Sequence, residues 1–430
     1  MLVGYETLVS DFRESLDSYR NRGGYEAFDK VLRKLKPEDV QAEVKSANLR
    51  GRGGAGFPAG VKWGFLPKEP QPGAPHYLTV NADESEPGTF NNRPILEQYC
   101  HTLLEGIGIT CFAIQSHHAF IFVRGEYFDA QKNLNAAIRE AEEAGILGDK
   151  CMGHDYKLKV TVHSGAGAYI CGEETSLLEA LEGRRGYPRL RPPFPAIKGL
   201  YQCPTLINNV ETIAWVPMIF RDGVDEFKKY GTEKSGGPTI YSISGHVKKP
   251  GNYEAPQTVT LRDLIYHYAG GIRNDNKFKM CFPGGTSVPL FFEDALDVMM
   301  DFDSPPSKGS FLGSKAIQVM DETVCPVWVC LNTMHFYRHE SCGQCTPCRE
   351  GSSWMYKILT RLERGTGTME DIDMLEEICD KISGRSICAL GDFSTAAPRS
   401  AIKRLRHEFE EHVKQGCCPF KDKMDWHEFK

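Results

Sequence analysis

Between Gly51 and Gly60 the chain reads Gly-Arg-Gly-Gly-Ala-Gly-Phe-Pro-Ala-Gly, five glycines in ten residues. So few side chains cannot build a hydrophobic core, and so many glycines disfavour a regular helix or strand. What the stretch offers is bare backbone N–H groups that come close to something large and anionic. Around it, Arg50 and Arg52 add positive charge, Lys62 a mobile cation, and Phe57, Trp63 and Phe65 flat apolar faces. A phosphate joined to an aromatic ring system is the natural guest. The plain alternative is a flexible linker, but linkers favour Ser and avoid Trp and Phe.

The loop's context matters as much as its glycines. Upstream, residues 11–16 and 25–32 repeat apolar positions at three and four, and Pro37-Glu38-Asp39 opens a further helix with Pro and acids in its first turn. A dinucleotide fingerprint needs a strand directly before its glycines and a helix after them. Here a helix precedes and Pro58 interrupts the residues after the glycines, so the ordinary Rossmann fingerprint does not describe this segment.

Strands are predicted at 77–80, 119–123 and 157–162, with helices over 103–115 and 134–144 between them. That β-α-β-α-β order gives an α/β chain with a parallel sheet. The first strand runs into Asn81-Ala82-Asp83-Glu84-Ser85-Glu86, an acidic turn where open α/β sheets place ligand contacts; a solvated turn is the alternative. The third opens into a second Gly-rich loop, Gly165 to Thr175, followed by a helix from Ser176 to Glu182, a credible phosphate or flavin context. Its Glu173 and Glu174 suit ribose or ribityl hydroxyls, or an oxidised nicotinamide, better than a phosphate. The Pro- and Arg-rich segment from Gly186 to Pro195 is either a rigid arm carrying Arg191 and Phe194 to a ligand or a surface crossover. Asn208 and Asn209 start a helix as caps or bond a heterocycle edge.

At Gly236-Gly237-Pro238 the texture changes. A hairpin around Lys248-Lys249-Pro250-Gly251, a short helix over 260–268 and strands near 277–282 and 316–319 predict a small β-grasp-like unit with a structural or docking role. The expected division is 1–75, N-terminal helices and glycine loop; 76–236, Rossmann-like; 237–325, β-grasp; 326–430, a helical bundle. A length of 430 residues suits several domains. The net charge of −6 gives no general invitation to nucleic acid or an anionic membrane surface. With no apolar run of about 18 residues and a polar start, the expected home is a reducing cytosol, or an organelle after loss of a presequence.

Of fifteen cysteines, most read as buried inert thiols, the adjacent Cys417 and Cys418 as structural or incidental. Cys342, Cys345 and Cys348 differ: they stand at two-residue intervals, with Cys388 forty positions later. A C-x-x-C-x-x-C turn wraps three thiolates round one face of a 4Fe-4S cubane and leaves a distant fourth to close it. Zinc, the alternative, usually takes two separated C-x-x-C pairs. Helices predicted at 352–363, 369–382 and 401–414 put the cluster at one end of a bundle.

Taken together, RGRGGAGFPAGVKW from Arg50, NADESEPGTF from Asn81, GAGAYICGEETSLLEALEG from Gly165, INNVET from Ile207 and ESCGQCTPCREG from Glu340 closely resemble the NADH-binding flavoprotein subunit of respiratory complex I. The hairpin SGHVKKPGNYE is similar to that family's soluble-ligand-binding β-grasp domain. The resemblance implies noncovalent FMN, one 4Fe-4S cluster, and NADH oxidised by hydride transfer to FMN. By motif, FMN would meet Gly51, Arg52, Gly53, Gly54, Lys62, Asn81, Asp83, Glu84, Ser85, Tyr169, Gly172, Glu173, Glu174, Asn208 and Asn209. NADH would meet Phe57, Lys62, Phe65, Glu86, Glu174, Arg191 and Phe194, with Glu86, Glu174 and Tyr169 in orienting roles; position 191 often holds lysine in relatives. Cys342, Cys345, Cys348 and Cys388 would hold the cluster.

Implied partners are a thioredoxin-like 2Fe-2S subunit and the large iron–sulfur subunit of the peripheral arm, with the membrane reached only through the complex. The implied location is the cytoplasmic side of the inner membrane, or the mitochondrial matrix for an organellar form. Diaphorase subunits of soluble NAD-dependent hydrogenases or formate dehydrogenases resemble the same family and are the alternative. A nucleotide-binding iron–sulfur scaffold without turnover is a further one, less suited to two ring-stacking surfaces beside a cluster.

Overall fold

The computed structural model describes residues 5–6 and 13–422. A short strand, β1 (Tyr5–Glu6), precedes helices α1 (Leu16–Asn21), α2 (Glu26–Lys34) and α3 (Pro37–Ser46). The helix expected over 11–16 begins only at Leu16, where Ser15 caps it by accepting the Ser18 N–H at 3.2 Å; Asp11 and Phe12 lie outside the described residues. After the glycine loop comes α4 (Ala59–Trp63). A helix precedes the loop, as its context predicted, and the short α4 that starts directly after Pro58 was not expected.

The chain then runs β2 (His76–Ala82), α5 (Arg93–Glu97), α6 (Cys100–Ala113), β3 (Ser116–Val123), α7 (Phe128–Glu143), β4 (Lys159–Ser164), α8 (Glu174–Leu181), α9 (Pro195–Lys198), β5 (Thr205–Asn209), α10 (Val210–Ala214), α11 (Val216–Asp222) and α12 (Val224–Lys228). Four strands form a wholly parallel sheet in the order β4-β3-β2-β5. Pattern predicted three of them and read residues 207–212 only as a helix start. Asn209 is indeed the cap of α10, accepting the Glu211 N–H at 2.9 Å. The five residues up to it nonetheless pair with β2, Tyr77 opposite Thr205 and Asn81 opposite Asn209. This strand is buried without alternation, so it carries no period-2 signal. Its position decides where a ligand can sit: from β2 the sheet grows to β3 on one side and to β5 on the other, which makes the carboxyl ends of β2 and β5 a topological switch point.

A second, mixed sheet comprises β1 with β6 (Thr239–Gly245), β7 (Gly251–Ala255), β8 (Phe278–Phe282), β9 (Phe291–Phe292) and β10 (Ala316–Asp321), in the order β1-β7-β6-β10-β8-β9. The β6–β7 hairpin is antiparallel and β10 joins β6 in parallel. The helix predicted over 260–268 is wound as a π-helix over Asp263–Tyr268. Tyr241, Ile243, Leu264, Ile317 and Val319 are among the buried core of this unit.

Four helices close the chain: α13 (Pro326–Glu340), α14 (Thr346–Glu363), α15 (Met369–Ile382) and α16 (Leu390–Gln415). Pattern reading has no counterpart for α13, whose first turn, Pro-Val-Trp-Val, is poor in helix formers. Packing against α14 and α16 makes it a helix. One buried core joins this bundle to Phe122, Leu177, Leu178 and Ile207 of the parallel sheet and α8, whereas the opposite face of that sheet packs on α6 and the N-terminal helices.

Helix α6 is buried along nearly its whole length. A Cβ on Gly106 would lie 2.1 Å from the carbonyl oxygen of Ile213 in α10. Gly→Ala inside a helix ordinarily stabilises by up to about 1 kcal/mol. Here the sign reverses: Gly106→Ala is expected to destabilise by roughly 1–3 kcal/mol because backbone must move, read as a lowered midpoint in chemical denaturation.

Candidate functional site

A cavity of about 960 Å3 opens at the switch point, near the upper end of the size range of small-molecule sites. Its walls come from the glycine loop (Arg52, Gly53, Gly54), the end of β2 and its turn (Asn81, Asp83, Glu84, Ser85, Glu86), the second Gly-rich loop (Tyr169, Gly172, Glu173), Arg191, Asn209, and the start of α16 with Cys388 ahead of it. Thus the strand-born loop and the glycine loop, far apart in sequence, face one space.

The glycines are needed for two reasons. Gly54 has φ of +127°, which side-chain-bearing residues rarely adopt, and a Cβ on Gly53 would sit 2.9 Å from Cβ of Asn209. Arg52 holds the loop in place. Its N–H donates to Thr212 Oγ1 at 2.8 Å, its guanidinium donates to the carbonyls of Gly236 at 2.7 Å and Pro238 at 3.1 Å, and its own carbonyl accepts from Lys315 Nζ. Lys315 pairs with Glu211 at 3.1 Å, both fully buried. Burial lowers Arg52 to about 10 and also lowers Lys315. The Arg52 side chain is therefore committed beneath the loop and is not a free phosphate clamp.

Several expected contacts stand back from the cavity wall or are already engaged within the protein. The Gly51 N–H donates to Phe57 O at 2.8 Å and forms the loop's neck. Asn208 accepts from Trp63 Nε1 at 2.9 Å inside the core. Lys62 bonds Glu174 at 3.1 Å, and Arg191 reaches the same carboxylate at 3.0 Å. Glu173 is chiefly a helix cap: its Oε2 accepts the N–H groups of Thr175 and Ser176, each at 2.9 Å. Outside the cavity, Phe57 and Phe65 form an exposed ring pair, centroids 5.8 Å apart. Phe194 is also exposed but, among the described residues, makes no ring contact with that pair.

The acidic turn is not a solvated one. Glu86 accepts from Tyr169 Oη at 2.6 Å, from the Ser287 N–H at 2.8 Å and from Thr286 Oγ1 at 3.2 Å, so it fixes a tyrosine of the wall. Glu84 accepts the Asn92 N–H at 2.7 Å and Tyr127 Oη at 3.0 Å. Burial pushes Asp83 and Glu84 each up to about 7 and raises Glu86 as well. Asp83 takes Ser85 Oγ on Oδ1 at 2.6 Å, while its buried Oδ2 has no hydrogen-bond partner. An unpaired buried oxygen beside a polar, glycine-walled cavity fits a ligand that brings its own hydrogen-bonding edge, as a flavin with a phosphorylated side chain does. Sequence reading missed Arg399 and Lys403 of α16 on the same wall; their i, i+4 spacing is the signal that places them on one helix face.

The four signature thiols form no disulfide. Cys342 and Cys345 lie in the turn from α13 to α14, Cys348 in the first turn of α14, and Cys388 just before α16. They are close enough that Cys342 and Cys345 act electrostatically on Cys348, and Cys342 and Cys348 on Cys388. Four thiols gathered at one pole of a bundle fit four-thiolate ligation of a cluster.

Three stretches match known domains: residues 44–218 the Nuo51 FMN-binding domain, 328–412 the NADH-ubiquinone oxidoreductase-F iron-sulfur binding region, and 240–291 the SLBB domain. The chain is 53% identical over 406 residues to the F subunit of the NADH-quinone oxidoreductase of Streptomyces coelicolor, covering 94% of this chain and 90% of that one. It belongs to the family of NADH-quinone oxidoreductase F subunits. A Rhizobium meliloti member, designated F 2, is 48% identical, covering 94% of this chain and 96% of its own. Among solved structures, a chain of NAD+-reducing [NiFe]-hydrogenase in the H2-reduced state superposes with a TM-score of 0.83 at 31% identity, over 96% of this chain and 68% of that one. The family's FMN-binding domain contains much of the cavity wall and its iron–sulfur region contains the four thiols.

Asp83 and Glu84 keep protons in the folded chain at pH values where the unfolded chain has lost them. Their contribution to stability is thus complete below about pH 4 and disappears as pH rises through about 7. The cofactor-free chain should lose Tm over that window, and Asp83→Asn with Glu84→Gln should flatten the slope. An unchanged slope in that double variant refutes the burial account.

Proposed function

We propose that this chain is the NADH-oxidising subunit of an NADH-quinone oxidoreductase, taking electron pairs from NADH and passing single electrons toward the quinone-reducing part of the complex. The observation that carries it is one cavity whose wall includes both the glycine loop and Cys388. Bound there, FMN supplies a hydride acceptor, and a 4Fe-4S cluster on Cys342, Cys345, Cys348 and Cys388 supplies a one-electron carrier.

The chain's own residues bind and orient. Gly53 and Gly54 present backbone to the phosphate end, over the buried positive charge of Arg52 and Lys315. Asn81 and Asp83, which line the cavity, would hold the polar edge of the ring system. Glu86 holds Tyr169 against the edges of Phe336 and Tyr337, at centroid distances of 5.1 and 6.2 Å, which fixes the floor on the bundle side. Glu174, held between Lys62 and Arg191, offers a carboxylate whose charge is already balanced to a ribose or nicotinamide. Phe57 and Phe65, with Phe194 on the Pro-rich arm, are the proposed adenine contacts. No proton transfer by a side chain is needed for hydride transfer, so orientation and electrostatics are the protein's contribution.

The proposed division is at residues 75, 236 and 325, and the separate sheets and the helical bundle support it. Proposed partners are a thioredoxin-like 2Fe-2S subunit and the large iron–sulfur subunit of a peripheral arm, on the cytoplasmic face of the inner membrane or in the matrix. Among the described residues no helix is long and apolar enough to cross a membrane. The hydrogenase likeness supports a second reading, a diaphorase subunit; co-purification with a hydrogenase large subunit would select it.

The purified, cluster-replete chain should show flavin absorption that bleaches on adding NADH, and should reduce ferricyanide with NADH. A colourless or inert preparation sinks the proposal. Glu174→Gln should raise KM for NADH about tenfold with flavin content kept, since a hydrogen bond to a charged group is worth roughly 1.5–3 kcal/mol. Unchanged NADH kinetics would remove Glu174 from the site.

A further inference from the structure

Away from the cavity, four ligand-bearing side chains converge: Cys325, Glu363, His412 and Cys418, with their ligand atoms all within 4.8 Å of one another and all four residues buried. Among the described residues this is the one such gathering of three or more His, Cys, Asp or Glu. They come from four separate places in the chain. Cys325 is the N-cap of α13, Glu363 the last residue of α14, His412 is in the last turn of α16, and Cys418 lies just beyond that helix. Spacing alone reads Cys417 and Cys418 as structural or incidental; the fold gives Cys418 three companions.

We propose that these four residues hold a zinc ion that fastens the pole of the bundle opposite the iron–sulfur thiols. The separations suit it. Cys325 Sγ is 3.3 Å from His412 Nε2 and 3.5 Å from Glu363 Oε2, and His412 Nε2 is 3.4 Å from Glu363 Oε2. Zinc bonds of about 2.3 Å to sulfur and about 2.0–2.2 Å to nitrogen or oxygen give tetrahedral edges of about 3.4–3.8 Å. The imidazole is oriented for ligation: Nδ1 lies 2.7 Å from the Glu408 carbonyl, which can only accept, so Nδ1 carries a proton and Nε2 is the ring atom turned to the other three residues. The Trp328 N–H, at the N-terminus of the 15-residue α13, donates to Cys325 Sγ at 3.3 Å and favours a thiolate there. Two thiols, a carboxylate and an imidazole make a zinc donor set; magnesium and calcium prefer oxygen.

This is a separate site from the cluster. Helix α13 has 15 residues, a rise of about 22 Å, between Cys325 at its start and Cys342 just beyond its end. The proposal does not depend on the redox reading, and metal content tests it without turnover.

The experiment is elemental analysis of the full wild-type chain, purified without chelator, followed by zinc-edge X-ray absorption. About one zinc per chain beside the iron is expected, with two sulfur and two nitrogen or oxygen neighbours. His412→Gln and Cys418→Ser should each lower zinc content at least about twofold, with iron and flavin kept, whereas Cys345→Ser should lose iron and keep zinc. Half an equivalent or less in the wild type, even after thiol reduction and incubation with equimolar zinc chloride, overturns the proposal and leaves a hydrogen-bonded thiol–imidazole cluster or a Cys325–Cys418 disulfide. A shell of four sulfurs, or zinc unchanged in both the His412→Gln and Cys418→Ser chains, overturns it equally.

Discussion

A loop almost without side chains cannot be held by packing, so its shape depends on the buried ionic group beneath it. Arg52 contributes its backbone N–H, its carbonyl and its guanidinium, each engaged by a different partner: Thr212, Lys315, and the carbonyls of Gly236 and Pro238. Glu211 completes the group by pairing with Lys315 and by accepting from Thr239 Oγ1 at 2.8 Å and the Ile240 N–H at 3.0 Å. The loop, α10, the first residues of β6 and the residue before β10 are thereby fixed to one another. Desolvating these charges is costly, and their value lies in specifying one arrangement rather than in net stability.

Two buried cations face Glu211, and Glu84, itself lifted to about 7, also acts on Lys315; this leaves positive charge under a loop whose glycines open their backbone to the cavity. That charge sits at the switch point that β5 creates. An anionic group entering there meets oriented N–H groups and an unscreened field, neither of which must be reorganised when it binds. The opposite wall is acidic but near neutrality, since burial lifts Asp83 and Glu84 to about 7. The cavity is thus polarised: phosphate suits the glycine side, and neutral hydrogen-bonding edges suit the side at the end of β2.

Much of this was legible in sequence, for identifiable reasons. Helices with clear caps, such as α15 with Thr368 accepting the Asp371 N–H, declared their limits, and strands β2, β3 and β4 stood out by β-branched and aromatic content. The fourth strand did not, because a fully buried parallel strand has no alternation and its last residue doubles as a helix cap. Composition located the glycine loop and the thiols, yet it could not show that Arg52 points inward, that Glu173 spends its carboxylate on α8, or that Asn208 belongs to Trp63. Those outcomes depend on which side of an element faces the core, and long-range packing decides that. The same limit hid Cys325, Glu363, His412 and Cys418, whose convergence is written in no spacing.

The helix ends of the bundle bear on why the thiols sit where they do. Helices α14 and α16 both begin beside the signature cysteines, directing two N-termini at Cys345, Cys348 and Cys388, while α13 and α15 end at that pole. Cys345 and Cys348 lie at the N-terminus of α14, where the local partial charge favours thiolates. At the far pole α14 and α16 end while α13 and α15 begin, and the N-terminus of α13 lies at Cys325. Holding two cysteines and a carboxylate together at that pole requires a positive charge from elsewhere. Lys279 is nearby, but it is paired with Glu408 at 2.6 Å and donates to the Val324 carbonyl at 2.9 Å. The zinc proposed at the centre of the four ligands would supply that charge.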